Sequence, residues 1–136
     1  MPFTPVLMAW DDTVVCPYPV AGFPAGMLVK TADGYQVIQD LQVGDQVVCY
    51  DFNNKQSVTR PIVAKTTVVV SKTLSFTIFN QKIITKPSQR LYLPELQRWV
   101  HAIRLKDYLD LNYEQLEQEI VLYEITVERY HNFYIT

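Results

Sequence analysis

The sequence predicts an all-β domain, and three observations carry that prediction. Val, Ile, Thr, Tyr and Phe dominate the interior of the chain, with nine Tyr and six Phe, and good helix formers are sparse. Val121, Tyr123, Ile125 and Val127 alternate with Glu124, Thr126 and Glu128, which is the two-residue period of a strand. Eight prolines and four glycines punctuate short runs of this kind, and 136 residues, 49% of them hydrophobic, are enough for one domain with its own core.

Residues 1–21 hold four prolines (Pro2, Pro5, Pro17 and Pro19) without a sustained period. They predict an extended N-terminal leader that docks on the domain rather than an element inside it, the domain being 22–136. Met27 to Thr31 and Tyr35 to Ile38 form a hairpin around Ala32-Asp33-Gly34, whose glycine supplies the positive φ of a tight turn. Gln39 to Asp45 predicts a single helical turn ended by Gly44. Gln46 to Asp51 follows as a strand that is apolar on both faces, Val47 and Cys49 on one and Val48 and Tyr50 on the other, and therefore central.

The run from Ser57 to Phe79 supplies two or three strands, broken at Pro61 and at the Ser71-Lys72 corner, with Lys65 and Lys72 as charged guards against edge pairing. Lys82 to Thr85 and Gln89 to Leu93 predict a strand pair. After Trp99 the spacing of Ala102, Ile103, Leu105 and Leu109 predicts one short helix of about two turns. The alternating strand to Glu128 closes the series, and no internal repeat is present.

Twelve Lys and Arg against fourteen Asp and Glu, a net charge of -2 and no block of like charges argue against nucleic acid or a membrane surface as partner. The first ten residues, MPFTPVLMAW, have neither the basic region nor the apolar run of a signal peptide, and no stretch is long enough for a transmembrane helix, so a soluble monomer is expected and its compartment is left open. Cys16 and Cys49 are too few for a disulfide framework and lack metal-ligand spacing, so neither metal nor cofactor is expected. Cys16 reads as a leader-packing cysteine and Cys49 as a buried core thiol.

Three segments in order carry a resemblance: GFPAGMLVKTADG with IQDLQVGDQVVCYD, then ITKPSQRLYLPELQRWVHAIRL, then LYEITVERYHNFYIT. Together they resemble the Hint module shared by inteins, hedgehog autoprocessing domains and the pre-toxin processing domains of bacterial polymorphic toxins, over nearly all of residues 22–136. The resemblance implies a pseudo-twofold β-horseshoe that brings the two ends of the module to one catalytic cleft. It also implies self-directed chemistry, with the chain's own flanking polypeptide as partner. A Cys, Ser or Thr at the first position attacks the carbonyl just upstream in an N–S or N–O acyl shift, and a histidine in a TxxH-like motif helps the leaving nitrogen take a proton. In inteins a terminal His-Asn pair then cyclises to release the C-terminal flank.

The chain departs from that pattern at each position. The first residue of the module, five before a position usually Thr and here Met27, falls on Gly22, which has no nucleophile. Where the middle histidine belongs, after Thr85, stand Ser88 and Gln89, neither an acid-base group near neutral pH. The late-motif histidine is matched by His131, and the terminal His-Asn is not matched within the chain. The resemblance therefore implies an autoprocessing domain inactive in this form, with Gly22 and His131 expected in one cleft and Gln89 in the lost histidine's place, bonding a backbone carbonyl.

Each of these residues has a plainer reading beside it. Gly22 also reads as a glycine chosen for its backbone angles, His131 as a structural histidine, Gln89 as an ordinary strand residue and His101 as a surface residue. Asp33, Asp45 and Asp51 read as turn aspartates whose side chains bond the local backbone. A degenerate Hint scaffold kept as a protein-binding or structural module accordingly stands beside the inactive processing domain. An unrelated β-barrel binding domain stands only if the ordered motifs are coincidence.

Overall fold

A computed structural model of the chain describes residues 7–11 and 22–136. Thirteen strands run through the described residues: β1 (Leu7–Trp10), β2 (Phe23–Pro24), β3 (Leu28–Thr31), β4 (Gly34–Val37), β5 (Gln46–Asp51), β6 (Gln56–Val70), β7 (Thr73–Ile78), β8 (Gln81–Thr85), β9 (Arg90–Leu93), β10 (Arg98–His101), β11 (Glu114–Leu116), β12 (Ile120–Val127) and β13 (Asn132–Ile135). Ten of them form one sheet in the order β10-β9-β1-β13-β3-β5-β6-β12-β2, with β4 on β3, and the other three form a small sheet, β11-β7-β8. The all-β reading holds. Among the described residues no helix is long and apolar enough to cross a membrane, and no cluster of His, Cys, Asp and Glu could hold a metal.

The predicted hairpin forms with Thr31 opposite Gly34, whose φ of +136° only a glycine adopts without strain. β5 has the predicted bounds and lies between β3 and β6, with Val47 and Cys49 fully buried. The helical turn expected over 39–45 is a 310 turn at Ile38–Asp40, one residue earlier. Gly44 belongs to a second turn, in which the Asp45 carboxylate accepts the Gln42 N–H.

Pro61 does not break the run it lies in, because β6 changes partner there. Residues up to Pro61 pair with β5, those from Ile62 pair with β12, and the register shifts between Thr126 and Val127. At that junction the missing proline N–H breaks no ladder, and the Pro61 carbonyl still accepts from Glu128 N at 3.1 Å. Lys65, read as an edge guard, instead lies inside the β6–β12 ladder and donates to the Gln39 carbonyl at 2.7 Å.

β8 and β9 are both strands but do not pair with each other: β8 pairs with β7, and β9 with β10 and β1. The four residues between them turn the chain from one sheet to the other. The short helix expected after Trp99 is a 310 segment, Ala102–Asp107. Its three-residue repeat buries Ala102 and Leu105 and leaves Ile103 exposed. The largest difference lies at the N-terminus. Leu7–Trp10, in the segment read as a leader outside the domain's elements, is a strand within the large sheet, between β9 and β13.

One apolar cluster joins the strands of the large sheet (Leu7, Phe23, Val29, Leu91, Ile125, Phe133 and Ile135) to Leu74, Phe76 and Ile83 of the small one. Each fully buried side chain of this size contributes about 1.5–3 kcal/mol. The cluster also closes the module, since the rings of Phe23 and Phe133 meet edge to face at 6.3 Å. Phe23, next to Gly22, and Phe133, two residues after His131, are thus packed together.

Candidate functional site

Gly22 is buried and leads into β2, which adds to the edge of β12 through Phe23 opposite Tyr123. Its backbone φ is +123°, and a Cβ built there would lie 3.1 Å from Glu124 Cγ and 3.2 Å from both Leu122 Cβ and the Tyr123 carbonyl. Both backbone polar groups are taken by side chains. The Gly22 N–H donates to Gln89 Oε1 at 2.8 Å, and the Gly22 carbonyl accepts from Thr85 Oγ1 at 2.6 Å.

Thr85 and Gln89 are presented by the turn between β8 and β9. The Gln89 N–H closes it on the Lys86 carbonyl, and the 310 segment pins it from outside: Ala102 N–H donates to the Gln89 carbonyl at 2.8 Å and Ile103 N–H to the Pro87 carbonyl at 3.1 Å. Gln89 is 1% exposed and uses both ends of its amide. Oε1 takes Gly22, while Nε2 donates to the Trp10 and Arg90 carbonyls, both at 3.0 Å. The expected contact of Gln89 with a backbone carbonyl is present twice over. The expectation did not extend to its acceptance of the Gly22 N–H.

The other end of the site is His131, in the left-handed region with φ 55° at the turn before β13. Its Nδ1 lies 3.0 Å from Asp11 Oδ1, and its side chain stays 32% exposed while that of Asp11 is fully buried. The second Asp11 oxygen accepts the Val127 N–H at 2.6 Å, and the Asp11 N–H donates to the His131 carbonyl at 3.0 Å. Gln89 therefore bridges Gly22 to Trp10, and the residue after Trp10 holds His131, whose ring centroid is 6.4 Å from that of Trp10. The two ends are joined through side chains of a third segment.

Three residues of this site escaped sequence reasoning. Glu124, placed by the alternation on the polar face of its strand, is 8% exposed, beside Gly22, with Thr66 Oγ1 at 3.4 Å from its carboxylate. The alternation was a true strand signal, but β12 buries both faces over its second half: Leu122, Glu124 and Thr126 are buried alongside Ile125 and Val127, and Val121 is exposed. Asp11 lay in the supposed leader. Asn132, buried behind His131, mimics a strand by accepting the Tyr50 N–H and donating to the Tyr50 carbonyl, which fastens β13 to β5.

The remaining candidates are structural. Burial pushes the Cys49 thiol up to about 11, with Arg60 pulling it down and Asp51 up by lesser amounts, so the thiol stays protonated at neutral pH and is no substitute nucleophile. Burial also raises the Asp51 carboxyl, but hydrogen bonds from the Asn54 side chain, the Asn54 and Asn53 N–H groups and the Tyr130 hydroxyl outweigh it and leave it below its ordinary value. Asp51 and Asp45 are turn aspartates as expected. At Asp33 the local bond comes from the Thr31 hydroxyl, which accepts the Asp33 N–H. His101 is exposed with Nδ1 3.0 Å from the Ser88 carbonyl. Cys16 and Ala21 lie outside the described residues.

The sequence of residues 28–136 matches the family described as the pretoxin HINT domain. No curated protein matches the chain. Among solved structures, it is similar to a bacterial intein-like domain from Clostridium thermocellum, at 18% identity and a TM-score of 0.72, over 84% of this chain and 91% of that one. It is also similar to the DnaX mini-intein from Spirulina platensis, at 15% identity and a TM-score of 0.64, over 85% of this chain and 95% of that one. These likenesses show the Hint/intein-like fold.

Proposed function

The chain belongs to the pretoxin Hint family, and from that premise we propose that it is an autoprocessing domain by descent that does not cleave itself in this form. The observation that carries the proposal is the environment of Gly22. An acyl shift needs a side-chain thiol or hydroxyl at this position to attack the carbonyl of residue 21, break the C–N bond and leave a thioester or ester as the amine takes a proton. Gly22 has no such group, its N–H is held by an amide that cannot donate a proton to a leaving nitrogen, and the remaining space near it is closed by Glu124 and Leu122. Its partner in this reading is its own flanking polypeptide.

The chain is expected to stay intact on long incubation with hydroxylamine, read by intact-mass spectrometry. A fragment ending at residue 21 would overturn the proposal. The alternative, a degenerate Hint scaffold acting as a binding or structural module, is favoured by one observation: the backbone at position 22 has a φ suited to glycine, and a Cβ there would fit only if its neighbours at 3.1–3.2 Å gave way, as at a site long settled on glycine. The Gly22→Cys, Gln89→His double variant separates the two. Thiol-dependent breakage after residue 21 in the folded variant supports the disabled processing domain. Its absence puts the binding module first.

A further inference from the structure

The N-terminal strand occupies a slot with its own recognition features, and these do not depend on whether position 22 reacts. β1 pairs with β13 through Leu7 opposite Ile135, Met8 opposite Tyr134, Ala9 opposite Phe133 and Trp10 opposite Asn132, and its other edge meets β9 at Ala9 opposite Leu91. Leu7 and Ala9, one pleat apart, are 2% and 0% exposed and belong to the main core. At a fully buried Ala9 a larger side chain has nowhere to go.

The far end of the strand is fixed by polar groups. Gln89 Nε2 donates to the Trp10 carbonyl, the Asp11 N–H donates to the His131 carbonyl, and the Asp11 carboxylate takes Val127 N–H and His131 Nδ1. The Trp10 ring meets Trp99 edge to face at 5.2 Å and lies under the Arg90 guanidinium at 5.1 Å. Backbone pairing supplies affinity, while the small pocket at residue 9, the indole site at residue 10 and the buried carboxylate at residue 11 supply specificity, as in strand addition of a peptide to a sheet.

We infer that the cleft between β9 and β13 is a strand-binding site for an extended segment of the pattern Leu-x-Ala-Trp-Asp, filled in cis by Leu7–Asp11, and that it retains the N-terminal flank non-covalently when the chain is cut between Asp11 and Gly22. Ten residues separate Asp11 from Gly22, a tether that gives the cis segment an effective concentration on the order of millimolar over any competitor. Cutting removes that advantage and leaves the slot's own affinity.

The test uses the full chain with a protease recognition sequence replacing residues 14–19. The chain is cut to completion, in urea and then returned to buffer if the folded protein resists, and run on gel filtration at about ten micromolar with mass identification of each peak. The short N-terminal fragment is expected to co-elute with the remainder. A synthetic peptide of residues 5–12 should displace it, the same peptide carrying Ala9→Arg should not, and Asp11→Ala in the cut chain should weaken retention at least about tenfold. Elution of the short fragment by itself, whether or not the remainder keeps its fold, overturns the inference. Migration of the uncut chain as a dimer would assign the slot to the strand of a second copy and overturn the cis assignment.

Discussion

Gly22 and His131 stand at two ends of one site, both at positive φ, and they are built in opposite ways. At Gly22 the polar side chains that touch the residue are spent on its backbone: Gln89 accepts the N–H, Thr85 donates to the C=O, and the position itself is bare. At His131 a side chain that can move a proton is kept a third exposed and oriented by a buried carboxylate. The first arrangement satisfies buried backbone groups and, on the reading proposed above, starts no reaction. The second resembles the base-and-orienter half of a catalytic constellation. The contrast teaches that two ends of one candidate site can be built for different purposes, Gly22 held by side chains from the β8–β9 region and His131 by the Asp11 carboxylate.

If that contrast is right, the Gly22 end is the more costly to disturb. Gln89→Leu keeps the volume but removes the acceptor of the Gly22 N–H and a donor to the Trp10 and Arg90 carbonyls in a buried site, and should lower the unfolding free energy in urea by at least about 3 kcal/mol. A loss below about 1 kcal/mol would mean that Gln89 is incidental there. Gly22→Ala should cost about 2 kcal/mol, from forcing an L-residue to this φ and from the tight approach of Leu122 and Glu124. An unchanged thermal midpoint would show that the backbone relaxes easily and that a cysteine could once have stood there.

The smallest effect is expected at the other end. His131→Ala removes one contact of Asp11 at the partly exposed side of the site and keeps the Val127 N–H bond, so the loss should be about 1 kcal/mol by the same urea measurement. A His131 loss exceeding that of Gln89→Leu would invert the comparison and make His131 the structural end.

Much of the fold could be read before any coordinates. The Ala32-Asp33-Gly34 hairpin, the bounds of β5 and the strand ending at Val127 follow from turn residues and from a two-residue period, both local properties of the backbone. The site was legible only in part. Gly22, Gln89 and His131 could be named from their place in the ordered motifs. Glu124 could not be separated from an outward residue, because a strand buried on both faces by different neighbours carries no sign of it in its own alternation. Asp11 could not be found at all, since a four-residue strand among prolines has too short a period to detect.

The sequence by itself determined the all-β class, the order of most strands, and the absence of a nucleophile at position 22, since these depend on residue identity and near neighbours along the chain. Tertiary structure alone decided which strands pair across long separations. It placed β1 between β9 and β13, sent β8 and β9 to different sheets, and let β6 change partners at Pro61. It also decided what surrounds Gly22, where Gln89 is brought in from 67 residues away. Such contacts are selected by the burial of whole faces and by the need to satisfy each buried N–H and C=O, and no local stretch of residues encodes that requirement.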